Sequence, residues 1–232
     1  MKKFWYIACL LVYGLGVKSQ LLDSLSYFMQ NKYSIDARLE SKVSFIDHQL
    51  TKVSGVRVGL VFKRKLKLGA GVDWLKTDYT HGLNWLGYEP VARNFVNDAN
   101  EAVTEYYKLL YLCFYADFVF HKTKHWQLSV PIQTGTGASW FNSEVGYSMG
   151  HHAPKSFVFL YEPGISVQYK ITKWLGGGAN FCYRFALQNS TRSYVHLSSP
   201  SYAFTLIFLL DQLFYEVLPN HELSKIYGPA VW

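Results

Sequence analysis

Apolar and polar residues alternate one by one along several stretches of this chain. In the first stretch, Tyr33 to Phe45, one set of alternate positions is apolar and the other is polar. The apolar set is Tyr33, Ile35, Ala37, Leu39, Val43 and Phe45, and the polar set is Ser34, Asp36, Arg38, Glu40, Lys42 and Ser44. A strand places successive side chains on opposite faces, whereas a helix would scatter both sets. The pattern therefore predicts a strand with one apolar and one polar face.

Seven further segments repeat this alternation. They are residues 56–62, 66–74, 106–120, 126–141, 156–171, 175–187 and a last segment that presents Tyr202, Phe204, Leu206, Phe208 and Leu210 and ends near Phe214 or Tyr215. Pro131 lies inside the fifth segment and cannot donate to a ladder, so we expect the weakest pairing there. The even number of amphipathic segments predicts an all-β, eight-stranded antiparallel up-and-down transmembrane β-barrel.

The connections between these segments alternate in length. Short ones lie at 63–65, 121–125 and Thr172-Lys173, and longer ones lie at 46–55, 76–102, 142–155 and 188–200. Short periplasmic turns and long outer loops are typical of bacterial outer-membrane barrels. Both chain ends are then expected on the periplasmic side.

Periodicity alone does not say which face is inside, so a soluble lipocalin-like barrel with apolar residues inside is the alternative. Charged residues and glycines share one face, and the opposite face is almost wholly apolar with aromatics near the strand ends. These features favour a polar lumen and a lipid-facing outer surface. Residues 203–218 also fit helical spacing, but a strand is preferred because a seven-stranded barrel would leave an open edge in lipid.

The N-terminus has the features of a secretory signal peptide. Lys2 and Lys3 precede an apolar stretch from Phe4 to Val17, which is too short for a spanning helix, and Ser19 is a suitable cleavage residue. We expect a signal peptide at 1–19, a periplasmic segment at 20–32, the barrel at 33–215 and a periplasmic tail at 216–232. The formal net charge of +7 includes three signal lysines, which leaves a mature charge of +4, too small to indicate nucleic acid binding.

Aromatic richness supports the membrane prediction, since 7 Trp, 18 Tyr and 16 Phe would supply interfacial girdles. Cys9 would leave with the signal peptide. Cys113 and Cys182 lie on strands separated by two others, so we expect free thiols.

The pattern resembles the OmpA/OmpX-like outer-membrane barrels, particularly the porin-like barrel proteins of Bacteroidota. The residues that carry the resemblance are Val56-Arg57-Val58-Gly59-Leu60, 66–71, Tyr161-Glu162-Pro163-Gly164 and the hairpin 169–176. The resemblance implies an outer-membrane location, but the chain departs from such barrels in continuing for 17 residues beyond the last strand instead of ending on an aromatic residue.

Nine charged residues are predicted to face a lumen only wide enough for side chains: Asp36, Arg38, Glu40, Lys42, Arg57, Asp73, Asp117, Glu162 and Arg184. Buried charges must be paired or hydrated, so we expect a charge network that plugs the barrel. A narrow porin-like solute channel is the alternative.

His196 and Ser198 are the candidate catalytic residues, because lipid A deacylases use a barrel-surface His and Ser with an acid. They share one strand face, but Asp211 is about 43 Å further along a straight strand. We therefore favour a structural or interaction component of the outer membrane over a lipid A acyl-ester hydrolase. His151-His152 lacks further ligands, so no metal or cofactor is predicted.

The predicted partners are outer-membrane lipid and lipopolysaccharide. A protein partner is expected at the long loop 76–102, which carries Trp85, Tyr88 and Phe95, or at the tail 216–232.

Overall fold

The computed structural model describes residues 33–62, 65–75, 91–96, 102–143, 155–189 and 195–217. These residues form nine strands and one helix. The strands are β1 (Tyr33–Ile46), β2 (Gln49–Phe62), β3 (Leu66–Leu75), β4 (Ala92–Val96), β5 (Ala102–Lys122), β6 (Trp126–Ser143), β7 (Ser156–Lys170), β8 (Leu175–Asn189) and β9 (Ser199–Leu209), followed by α1 (Leu210–Val217).

Eight of the strands close into one antiparallel barrel. They are hydrogen-bonded in the order β3-β2-β1-β9-β8-β7-β6-β5, and β3 pairs with β5 to close the ring. Closure leaves no edge strand in the wall, which is the condition for a sheet in lipid. The predicted eight-stranded antiparallel barrel is confirmed, and β4 is a ninth strand that lengthens the wall only beside the start of β5.

The two faces of the wall have the polarity predicted for a membrane barrel. Large apolar side chains are exposed on the outside, as with Phe204 at 71% and Phe114 at 55%, while polar and charged side chains are buried inside. A lipocalin-like barrel would have the opposite polarity, so that alternative is wrong. Among the described helical residues, none forms a helix long and apolar enough to cross a membrane.

The predicted long connection at 46–55 is wrong, because β1 and β2 are joined by a two-residue turn. Asp47 and His48 have φ values of 50° and 65°, and both strands stay paired up to Ile46 and Gln49. Two consecutive residues at positive φ match the twist of a tight hairpin, and Asp and His accept this conformation better than most residues.

The last strand ends at Leu209, earlier than the predicted Phe214 or Tyr215. Residues 210–217 form α1, so the strand and helix interpretations of 203–218 each hold for half of the segment. Asp211 is buried at the start of α1, where burial raises the pKa of its carboxyl despite a hydrogen bond with Ser34. β9 is paired with β1 up to Leu209, opposite Asp36, and the chain then turns into α1.

Two other predicted loops are shorter than expected. Strand β4 occupies part of 76–102, and β8 continues to Asn189 while β9 begins at Ser199 within the predicted 188–200 loop. The signal peptide, the 20–32 segment, the tail beyond 217 and His151-His152 lie outside the described residues, so these remain predictions.

Pro131 and the cysteines behave as expected. The register of β6 on β7 skips Val130 and Pro131, which breaks the ladder at the proline. Cys113 and Cys182 are buried free thiols.

Two inward glycines make room for an aromatic ring that crosses the lumen. Gly59 and Gly69 are paired across β2 and β3, and Gly69 is paired with Tyr115 on β5. A Cβ atom added at Gly69 would contact the Val58 carbonyl oxygen and lie 2.6 Å from two Tyr115 ring carbons. By contrast, a Cβ atom at the outward Gly177 would meet only the Ile171 Cδ1 atom, at 3.7 Å.

We predict that Gly69→Ala lowers the free energy of unfolding by about 1–3 kcal/mol, because the methyl group overpacks the lumen against backbone and ring. Gly177→Ala is the matched control and should change it by less than about 0.5 kcal/mol. Both can be measured from urea titrations of the folded, heat-modifiable band in gels. Equal effects of the two substitutions would contradict this packing.

Candidate functional site

The candidate site is the barrel lumen, and β1 is the strand that organises it. Its inward face carries Asp36, Arg38, Glu40 and Lys42 in order, so charge alternates in sign at every second residue. Residues two apart on a strand lie on the same face, and each of these side chains can therefore reach a different partner strand.

The middle of the lumen holds a cluster around Arg57 of β2. Its guanidinium contacts Glu40, and its Nη2 atom lies 3.0 Å from the Asp73 Oδ2 atom of β3. The Asn180 amide of β8 donates to the Glu40 Oε1 atom at 3.0 Å and to Thr205 at 3.0 Å. This cluster joins β1 to β2, β3, β8 and β9.

We call the end of the barrel with the β1–β2 turn and the longer connections the loop side, and the end with the turns 63–65, 121–125 and 172–173 the turn side. The part of the charged lumen nearer the loop side centres on Glu162 of β7. One carboxylate oxygen contacts the Lys42 ammonium group, and the other accepts a hydrogen bond from Arg184 Nε at 2.5 Å. Arg184 also donates to the Ser44 hydroxyl at 3.0 Å. Since Arg184 is 0% and Lys42 only 1% exposed, Glu162 is shared between two fully buried cations.

The turn-side part of the lumen centres on Arg38. Its Nη2 atom lies 2.8 Å from Asp36, its Nη1 atom lies 3.4 Å from Asp117, and its guanidinium carbon lies 4.9 Å from the centre of the Tyr115 ring. Nearby, the Lys67 Nζ atom donates to the Gln168 amide oxygen at 2.8 Å. A guanidinium that stacks on an aromatic face while it binds carboxylates is held by both interactions.

The structure places all nine predicted lumen residues inside the barrel, each 5% exposed or less. Lys67 also faces the lumen and is absent from the predicted set, although it lies between Leu66 and Leu68 and the same alternation assigns it to the inner face. With Lys67 included, five basic and five acidic side chains share the charged section of the described lumen, while two further buried carboxylates, Glu105 and Asp211, lie outside this section, near the start of β5 and on α1. The charges therefore balance, as burial in a narrow space requires.

A layer of apolar side chains closes the loop-side end of the lumen. This layer differs from the sequence prediction, which expected a polar lumen along the strands. Ile46, Val53, Leu160 and Leu197 are each 1% exposed or less, and they pack with Tyr107 and Tyr111 of β5. This apolar layer above the charged section interrupts the polar lining of the described lumen.

His196 and Ser198 lie together on the outer face at the loop end but form no catalytic triad. Ser198 Oγ accepts a hydrogen bond from the Ala186 N–H at 3.0 Å, and the His196 ring contacts His48 with 6.4 Å between ring centres. Asp211 lies past the opposite end of β9, on α1. An activated serine needs a base within hydrogen-bond reach, so the arrangement does not support acyl-ester hydrolysis.

The described residues include no cluster of three or more His, Cys, Asp or Glu side chains that could hold a metal ion.

No protein-family model matches the chain, and no curated protein matches it. Several solved structures have a similar fold. Neisserial surface protein A is 12% identical with a TM-score of 0.50, over 76% of this chain and 96% of that one. The attachment invasion locus protein Ail of Yersinia pestis is 11% identical with a TM-score of 0.42, and the match covers 76% of this chain and 96% of that one. A major outer membrane protein from Thermus thermophilus is 8% identical with a TM-score of 0.43, and the match covers 75% of this chain and 98% of that one. At these identities the likeness to Neisserial surface protein A shows the fold alone, a small eight-stranded barrel.

We predict that Glu162→Gln lowers the free energy of unfolding by about 3–5 kcal/mol, because it leaves Lys42 and Arg184 buried without their shared carboxylate. Glu216→Gln is the control, since Glu216 lies 4.0 Å from Lys173 in an exposed pair and should contribute less than about 1 kcal/mol. The double variant Glu162→Gln with Lys42→Met should recover part of the loss. Urea titration of the detergent-solubilised barrel measures all three, and no recovery would argue against charge imbalance as the cause.

We also predict that Ser198→Ala leaves the acylation of lipid A unchanged, because the Ser198 hydroxyl is bonded to backbone and has no base. Lipid A is compared by mass spectrometry from cells that lack the gene, carry the wild type or carry the variant. Loss of an acyl chain that depends on the wild-type gene and disappears with Ser198→Ala would contradict this prediction and establish the hydrolase.

Proposed function

We propose that this chain is an outer-membrane β-barrel that acts as a structural or interaction component and does not conduct solutes. The observation that carries the proposal is the filled lumen, in which five basic and five acidic side chains neutralise one another beneath an apolar layer. Eight strands leave an interior that side chains alone can fill.

The outer surface supports the membrane location. Exposed apolar side chains continue around the wall, and exposed aromatics lie towards both ends, with Tyr33 and Trp126 at the turn end and Trp74 and Phe157 at the loop end. Aromatic side chains are favoured where hydrocarbon meets headgroups. Export by a cleaved signal peptide at 1–19, contact with lipopolysaccharide and descent from the Bacteroidota porin-like barrels belong to this proposal.

Partners are proposed to bind at the loop end, through the region 76–102, or through the tail 216–232. The hairpin of β4 and β5 supports the first of these, because it extends the wall beyond β3, which ends at Leu75. A barrel that conducts no solute can still bind a partner through such an extension.

The proposal predicts that the purified barrel gives no stepwise current in planar bilayers, whereas a general porin measured in the same membrane does. Insertion is verified by the heat-modifiable shift of the reconstituted protein in gels. Discrete conductance steps that persist in independent preparations would replace this proposal with a narrow solute channel.

A further inference from the structure

The three short turns at one end of the barrel share an unusual composition. Residues 63–65, 121–125 and 170–173 together hold seven lysine or arginine residues, two histidines and no acidic residue. Lys65, Lys124 and Lys173 are exposed in the described part of these turns. Turns of barrel strands need no positive charge for their geometry, so the repeated composition points to a ligand.

Backbone hydrogen bonds join the three turns into a continuous strip along the rim. The Val119 N–H donates to the Lys65 carbonyl at 2.7 Å, the Lys170 N–H to the His125 carbonyl at 2.8 Å, and the Leu209 N–H to the Trp174 carbonyl at 2.8 Å. We call this strip, residues 65, 121–125 and 170–174, the basic arc. It leads from the β2–β3 turn to the start of α1.

Few carboxylates are exposed near Lys65, Lys124 and Lys173 in the described part of the barrel. Among the described residues at this end, Glu216 is the exposed carboxylate, and it lies 4.0 Å from Lys173. Asp36, Asp117 and Asp211 are buried. These three lysines therefore present positive charge outward.

Exposed apolar groups lie directly beside these cations. The rings of Trp126 and Tyr169 are 4.8 Å apart and about half exposed, and Ile171 is 57% exposed. Phe214 and Val217 of α1 are also exposed on one side of the helix. An acidic soluble partner would explain the lysines but not this apolar border, whereas a lipid surface accommodates aromatic rings, an amphipathic helix and basic side chains together.

We propose that the basic arc and α1 bind the phosphate groups of anionic phospholipids in the leaflet on the turn side of the barrel. The apolar border is continuous with the lipid-facing wall, which places the lysines at headgroup height. A lysine held near an anionic membrane surface raises binding by roughly fivefold, and salt weakens the attraction. This inference rests on the membrane location and is independent of loop partners and of conductance.

The test uses Trp126, which lies directly beside the basic arc, as a fluorescent reporter. Wild type and the variant Lys65→Gln/Lys124→Gln/Lys173→Gln are reconstituted in phosphatidylcholine that contains brominated phosphatidylglycerol or brominated phosphatidylcholine. Comparison of each protein with its Trp126→Phe derivative isolates the quenching of Trp126. We expect phosphatidylglycerol to associate at least about threefold more strongly with wild type, and we expect high salt and the variant each to abolish the difference.

The matched control is Lys52→Gln/Lys108→Gln/Lys155→Gln, which removes the same charge at the loop end and should leave Trp126 quenching as in wild type. Heat-modifiable migration verifies that every variant is folded. Equal quenching by the two lipids in wild type would overturn the proposal, as would a lipid preference that survives in the arc variant. Sedimentation with peptidoglycan through these lysines, without a lipid preference, would assign the arc to the cell wall and overturn it as well.

Discussion

Neutralisation of buried charge in a narrow lumen is the constraint on which the rest of this barrel depends. The alternating charges of β1 are neutralised by different strands, Arg38 by Asp117 of β5, Glu40 by Arg57 of β2 and Lys42 by Glu162 of β7. A slip of one residue in β1 would turn all four charges into lipid and bring the apolar set inside. The ion pairs therefore specify the register of the wall as well as filling the space within it.

The polarity of the inward face changes along the barrel axis. It is charged from Asp36 to Lys42, and beyond Ser44 it becomes apolar at Ile46, while Lys52 on β2, which is paired with Val43, faces outward. Above the charged section the wall thus has the polarity of a soluble protein. This reversal explains why the first hairpin was predicted too short, since the outward-apolar rule applies only to the part of a strand that crosses lipid.

The sequence was sufficient to predict the eight strands that close the barrel and the side on which each predicted lumen residue lies, because a period of two assigns faces directly. It could not predict partners such as Lys42 and Glu162, which are 120 residues apart and meet only through the register of closed strands. The end of β9 was missed for a local reason. Residues 203–218 fit the spacing of a strand and also that of a helix. Their sequence therefore does not show where the strand stops, whereas its pairing with β1 does.

Charge balance in the lumen has a consequence for the surface. Because the five basic and five acidic lumen side chains cancel, the field outside the barrel is set mainly by its two ends and the segments attached to them. The short turns contribute seven basic residues and no carboxylate to one end, whereas the described loop end includes Asp47 as well as lysines. A barrel that is neutral within and basic at one rim is attracted to anionic surfaces in one orientation. The asymmetry of its charge therefore lies in the short turns, where barrel geometry does not require any particular side-chain charge.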